Sequence, residues 1–269
     1  MSVNLKLHTQ PAVPLETENI TPDKFRVLDK EGISNLPVMH GKEQSRLSDF
    51  FSVEGEWDED IQIEGDLSLV KHVGARMTTG RITIHGNIGA HLGVGMQGGE
   101  ITVHGNAGDW VGPEITGGRI TINGNAGHLI GSVYRGGTTG MQGGEIIIKG
   151  NAKNEIGHGM RNGLIIIGGN TGDFTGVNML AGTIIALGQM GIRTGAGMKR
   201  GSIISMYDAP VIPTFSYSCC YRPTFIRIIM QYLKKLGFDI NNDHMNGEFH
   251  RWCGDGVELN KGEILLFAG

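Results

Sequence analysis

The chain has 269 residues, 39% of them apolar, a net charge of −4 with histidine neutral, and 45 glycines against 8 prolines. That apolar content excludes a disordered chain, and the absence of a basic excess removes the electrostatic footprint of a nucleic-acid binder. Glycine lies far above the usual ~7% without the triplet period of collagen.

Residues 1–58 have the mixed polar content of an arm and cap. Within them "TPDKFRVL" at 21–28 predicts a short helix, with Thr21 as N-cap and Pro22 in the first turn. "LSDFFSVEGEW" at 47–57 leads towards the first repeat. Asp58, Glu59 and Asp60 form an acidic cluster there, read as a solvated cap.

From 59 to 208 a repeat organises the chain. "DIQIEGD" at 60–66 is followed by "RITIHGN" at 81–87, "EITVHGN" at 100–106, "RITINGN" at 119–125, "EIIIKGN" at 145–151 and "LIIIGGN" at 164–170. "TIIALGQ" at 183–189 and "SIISMYD" at 202–208 are degenerate copies. Taking Gly65, Gly86, Gly105, Gly124, Gly150, Gly168 and Gly188 as equivalent, the spacings are 21, 19, 19, 26, 18 and 20. The long interval holds an insertion, "SVYRGGTTG" at 132–140. A fixed period of this length implies a stacked array.

Apolar residues alternate within each copy, as in Ile82/Ile84, Ile101/Val103, Ile120/Ile122, Ile146/Ile148 and Ile165/Ile167, and period 2 with β-branched residues means strand. A repeat of ~19 residues at ~3.3 Å each closes a path about 60 Å around. The expected fold is therefore all-β: a right-handed parallel β-helix of about seven to eight coils, with an N-terminal cap and a C-terminal helical segment. Each Gly-Asn pair reads as a corner that needs positive φ, with Asn87, Asn106, Asn125, Asn151 and Asn170 stacked as an amide ladder. Gly93-Val94-Gly95-Met96-Gln97-Gly98 matches G-x-G-x-x-G, but a strand follows it, so it reads as a turn. Methionines 77, 96, 141, 160, 179 and 198 recur at one repeat position, where flexible core filling explains them better than metal binding.

After 208 the composition changes, and 209–269 forms a C-terminal segment. "RPTFIRIIMQYLKKLG" at 222–237 predicts a helix with an apolar face and Gly237 as its stop. "GEILLFAG" at the end reads as a strand packed on the repeats or against a partner.

No candidate site survives inspection of the residues. His85 and His104 occupy equivalent positions in adjacent repeats, but Asn123 and Lys149 follow there and offer no third zinc ligand. Cys253, flanked by Trp252 and Gly254 with His250 nearby, has the types for a nucleophile and base, and a structural cysteine is the expectation. Cys219, Cys220 and Cys253 are too few for a disulfide framework or for a [4Fe–4S] cluster on their own. The expectation is thus no catalytic, cofactor-binding or metal-ligating residue, in a cytoplasmic chain with neither a signal-like start nor a membrane span.

The repeat "GMQGGEITVHGNAGDWVG" at 95–112, the lead-in "LPVMHGKEQSRLSDFFSVEG" at 36–55 and the turns "AGDWVG" and "AGHLIG" resemble the C subunit of formylmethanofuran dehydrogenase, over roughly 15–269. The repeat alone is also similar to the C-terminal glycine-rich β-helix domain of the glutamate synthase large subunit. The dehydrogenase resemblance implies a scaffold in a cytoplasmic archaeal complex that reduces CO2 and fixes it on methanofuran in the first step of methanogenesis. It places no cofactor in this chain. Tungsto- or molybdopterin is expected in the B subunit, and a dinuclear metal centre in the amidohydrolase-like A subunit. Iron–sulfur clusters are expected in ferredoxin-like electron-transfer subunits, and the D subunit is a further partner. Nucleic acid and membrane are not expected partners.

Two functional classes follow. The first is a structural subunit, resting on a repeat without a site. The second is an independent enzyme, a hexapeptide-type acyltransferase or a polysaccharide lyase, or else a glutamate-synthase-like structural domain. Against the transferase, hexads are missing; against the lyase, charged residues do not align in one column.

Overall fold

The computed structural model describes residues 2–55 and 59–269. Trp57, Asp58 and the expected 58/59 boundary lie outside the described residues. The N-terminal part contains β1 (Val3–Leu7), β2 (Leu15–Glu16), α1 (Pro22–Phe25), α2 (Lys30–Ser34), β3 (Pro37–His40), β4 (Glu43–Arg46) and β5 (Phe51–Glu54). The repeats supply β6 (Asp60–Glu64), β7 (Val70–Lys71), β8 (Arg81–His85), β9 (Glu100–Val103), β10 (Arg119–Ile122), β11 (Glu145–Ile148), β12 (Leu164–Ile167), β13 (Thr183–Ala186) and β14 (Arg200–Ser205). Beyond them lie β15 (Ser216–Tyr221), α3 (Ile226–Lys235), α4 (Asn242–Asn246), β16 (Phe249–Gly254) and β17 (Lys261–Phe267).

The strands run where the alternation places them, and the register keeps like beside like. Ile82 pairs with Ile101, Ile101 with Ile120, Ile120 with Ile146, Ile146 with Ile165, Ile165 with Ile184 and Ile184 with Ile203. All are fully buried, as are Met77, Met96, Met141, Met160, Met179 and Met198. The methionine column therefore fills the core beneath the strands, as its flexible side chain suits.

The expected fold class is corrected. The strands do not form a right-handed parallel β-helix of seven to eight coils. They form one large, mostly parallel sheet of 13 strands, in the order β15-β16-β17-β14-β13-β12-β11-β10-β9-β8-β6-β1-β5, beside a four-stranded sheet β4-β3-β2-β7. A period reports how far the chain travels before it returns beside itself. It does not say how much of that path is extended. Here most of the remainder of each repeat is turn, apart from β7 and the parallel bridges Leu67–Ile88 and Ile88–Ala107, and it is tied to its neighbour by bonds such as Gly105 N to Gly86 O (3.0 Å) and Gly124 N to Gly105 O (3.0 Å).

The flanks join the same sheet. β1 pairs parallel with β6 and antiparallel with β5. The apolar C-terminal strand β17 lies parallel to β14 and antiparallel to β16, so it covers the last repeat strand. The predicted N-terminal helix is α1, with the Thr21 hydroxyl accepting from Lys24 N. The predicted 222–237 helix is shorter, Ile226–Lys235, with Gly237 at φ 83 ending it.

A second core lies on the opposite face of the sheet. Ile147, Ile166, Ile185 and Ile204, the middle residues of their strands, pack with Ile226, Met230 and Leu233 of α3. The corresponding residues of β8, β9 and β10 are Thr83, Thr102 and Thr121, all half-buried. Threonine gives way to isoleucine where the helix covers the sheet. Each such isoleucine contributes about 1.5–3 kcal/mol by leaving water.

Candidate functional site

The structure sets the described residues singled out in the sequence in separate places. His85 and His104 stack with ring centroids 5.0 Å apart, but each is spent on a neighbour: His85 Nε2 meets Gln62 Oε1 (2.9 Å) and His104 Nδ1 meets Asn123 Nδ2 (3.2 Å). Further along that column the Lys149 ammonium lies 3.9 Å from the centroid of Phe238 and donates to the Leu236 carbonyl at the end of α3. A cation at a helix C-terminus is favourable there. His250 and Cys253 are three apart on β16, which puts them on opposite faces of the strand. All three cysteines are free, and Cys219 and Cys220 are exposed. Asp60 pairs with Arg81 (3.4 Å); Asp58 lies outside the described residues. Among the described residues no three His, Cys, Asp or Glu side chains are placed to hold a metal ion.

The Gly-Asn pairs are corners, and from Gly105 onward for a different reason from the one expected. Gly65 and Gly86 have the expected positive φ, 128 and 154, but Gly105, Gly124, Gly150, Gly169 and Gly188 do not, and neither do Asn106, Asn125, Asn151, Asn170 and Gln189 beside them. A Cβ on Gly105 would stand 2.5 Å from Gly86 O and 2.6 Å from Asn87 Oδ1, so close approach of neighbouring repeats demands the glycine. The equivalent residue in the "GGN" copy is Gly169 rather than Gly168, since Gly169 N bonds Gly150 O and Gly188 N bonds Gly169 O. The asparagine ladder runs from side chain to backbone. Oδ1 of Asn87, Asn106, Asn125 and Asn151 accepts from the backbone N–H of the next asparagine at 2.8–2.9 Å.

Besides many glycines, positive φ falls on a column of large residues. His72, His91, Trp110, Leu129, Glu155, Phe174 and Arg193 occupy one repeat position, all at φ between 60 and 65. Its signal in the sequence is the bulky residue inside the "AGDWVG" and "AGHLIG" turns, which strand alternation does not single out. The rings of His72 and His91 stack at 4.7 Å and 7°, with Trp110 following at 6.0 Å. Tyr134, from the insertion at 132–140, folds back so that its ring lies 4.6 Å from Trp110 and its hydroxyl is 2.7 Å from His91 Nδ1. No periodicity in the sequence places Tyr134 there.

Between this stack and the α1 region lies a cavity of about 520 Å³, bordered by Glu18, Asp23, Lys24, His72, Arg76, His91 and Tyr134. Burial lowers the pKa of His72 and, helped by the neighbouring His72 and Lys71, takes His91 down to about 4. Burial, with Glu114 and Glu18 close by, pushes Tyr134 up to about 12. Burial thus favours the uncharged form of both imidazoles and of the phenol, and their rings are stacked on one another and on Trp110. Asp23 accepts from the Thr78 backbone N–H (2.9 Å) and from its hydroxyl. Among the described residues neither Lys24 nor Arg76 has a side-chain hydrogen bond or ion pair.

No family model matches the chain. It is 46% identical over 84 residues to the C subunit of tungsten-containing formylmethanofuran dehydrogenase 2 from Methanothermobacter wolfeii, covering 29% of this chain and 31% of that protein. It is 47% identical over 79 residues to the C subunit of molybdenum-containing formylmethanofuran dehydrogenase 1 from Methanothermobacter marburgensis, covering 29% of this chain and 20% of that one. The matches thus span under a third of those relatives' length. Over nearly its whole length the chain is similar to a chain in the crystal structure of the formyltransferase/hydrolase complex (FhcABCD) from Methylorubrum extorquens in complex with methylofuran. The TM-score is 0.91 at 32% identity, covering 99% of this chain and 100% of that one.

Proposed function

The chain belongs to the family of the formylmethanofuran dehydrogenase C subunit, and on that premise we propose that it is a non-catalytic structural subunit of such a complex. The likeness along the whole chain to a member of an assembly of several proteins carries this reading. In it, the arm and cap (1–58), the repeat region (59–208) and the C-terminal segment (209–269) act as one rigid surface. Amidohydrolase-like, pterin-bearing and further subunits assemble on it, with ferredoxin-like subunits beyond them. The reduction of CO2 and its fixation on methanofuran then happen in those partners, which hold tungsten or molybdenum, iron–sulfur clusters and a dinuclear metal. The compartment proposed is the cytoplasm; among the described residues no helix is long and apolar enough to cross a membrane.

A second reading, a structural subunit of a formyltransferase/hydrolase complex, is favoured by one observation. The match of full length is to that complex, whereas the dehydrogenase matches cover less than a third of the chain. Affinity isolation of the native protein, with metal analysis, tests both. Co-isolated partners carrying tungsten or molybdenum support the dehydrogenase. Partners that move or hydrolyse formyl groups without either metal support the second reading. Elution of the chain alone, or catalysis by it alone, overturns both.

A further inference from the structure

We propose that β15 pairs edge to edge with β15 of a second copy of this chain, joining the two large sheets about a two-fold axis. This pairing sets how many copies of the chain associate, and it is independent of which complex they enter.

A strand at the end of a sheet offers a row of unpaired N–H and C=O groups, which proteins ordinarily blunt with charge, short length or cover. Among the described residues the two sheets end in β4, β7, β5 and β15, and the first three are blunted. β4 carries Glu43 and Arg46, and β7 is two residues long. β5 is four residues long, buries Phe51 and Val53, and packs against α2. β15 is the exception. Its six residues, Ser-Tyr-Ser-Cys-Cys-Tyr, carry no charge, and the first five are exposed. Among the described residues it pairs with β16 alone. A bulge between Tyr217 and Cys219 bends the strand but puts no charge on its edge.

Exposed apolar side chains bracket this edge. At its start Gly256 N bonds Thr214 O (2.8 Å), which holds the turn bearing Val257 and Leu259 beside the strand. Val257 is 76% exposed and Leu259 50%. Past its end, where α3 begins, come Phe225, 40% exposed, and Ile228, 72% exposed. The charges between, Arg222 and Glu248, are paired with each other at 3.3 Å.

These features fit a second copy. An antiparallel edge is its own complement, because about a two-fold axis each N–H meets a C=O of the other strand. The same rotation lays the start of one β15 beside the end of the other. Val257 and Leu259 of one copy then approach Phe225 and Ile228 of the next, so apolar surface meets apolar surface at both ends. Between them an uncharged strand meets an uncharged strand, and no charge is left buried without a partner.

The test is native mass spectrometry of the assembly in which the chain is isolated. Two copies of this chain per assembly are expected. Ser218→Lys sets like charges close to the axis and should reduce the count to one without lowering the thermal midpoint. An equal mixture of Ser218→Lys and Ser218→Asp proteins should restore two. In the wild-type protein a short bismaleimide should link two copies of the chain through Cys219 or Cys220. Should Ser218→Lys fail to fold, that linkage decides alone. A single copy in the wild-type assembly, two copies that persist in Ser218→Lys, or no linked pair overturns the proposal. Other partners co-isolating with a single copy would overturn this pairing and leave the proposed function intact.

Discussion

The hydroxyl of Tyr232 donates to the carboxylate of Glu145 at 2.6 Å, joining residues 87 apart in the chain. Arg119 donates to the same carboxylate at 2.7 Å, and the row Asp60–Arg81–Glu100–Arg119–Glu145 runs across five neighbouring strands. Tyr232 thus anchors α3 to a ladder of charges at the edge of the face it covers. Burial and the nearby Glu145 carboxylate push its phenol up to about 12, so it remains a donor through the neutral range.

Tyr232→Phe keeps the ring and removes the donor. It is expected to cost about 1–2 kcal/mol, because Glu145 retains Arg119. Urea unfolding checks this; an unchanged midpoint would show that the contact contributes nothing.

Ile166→Thr restores to β12 the residue type found on β8 to β10. It buries a hydroxyl under α3 and removes apolar area, at a cost of about 2–3 kcal/mol. Thr102→Ile, on the face that α3 leaves uncovered, should change stability by no more than about 0.5 kcal/mol. Equal effects from the two substitutions would refute the assignment of the second core to the helix.

Gly105→Ala tests why the corner glycines are there. Its backbone φ is open to alanine, so a purely conformational role predicts little loss. The 2.5 Å approach of the added Cβ to Gly86 O predicts about 1–3 kcal/mol of destabilisation. Differential scanning calorimetry separates the two.

The pH response follows from His91. Its pKa in the fold, about 4, lies below the ordinary histidine value of 6.5, so the folded state favours the neutral ring. The associated stability is present above about 6.5. It declines as the pH falls towards 4, as unfolded chains take up a proton that the native ring refuses. The ring is partly exposed, so the effect is modest. NMR titration of the His91 ring protons should give a midpoint near 4; a midpoint near 6.5 would remove the effect and its cause together.

Much of the architecture is legible in the sequence because strand alternation is a local property. Ile82 and Ile84 predict a strand with one buried face, and 19-residue spacing predicts that Ile101 lies beside Ile82. The β-helix expectation asks more of the period than it contains. Residues between successive strands turn rather than extend, and β1, β5 and β15 to β17 enlarge one sheet from sequence positions outside the repeat. The Gly-Asn pairs are corners, as their pattern suggests, but beyond Gly86 they lack the positive φ expected of them. Nothing in a sequence separates a glycine needed for its torsion from one needed for the room beside it.

Which residues extend, which side of each strand is apolar and where the methionines stack all follow from the chain read on its own, since each depends on neighbours a few residues or one period away. Folding in three dimensions adds that α3 covers isoleucines and leaves the threonines half-buried, that Tyr134 closes on His91, and that Lys24 and Arg76 border a common cavity. Tyr134 and His91 are 43 residues apart, Tyr232 of α3 and Glu145 are 87 apart, and Lys24 and Arg76 meet across the arm and the repeats; no local pattern encodes the meeting of such distant surfaces.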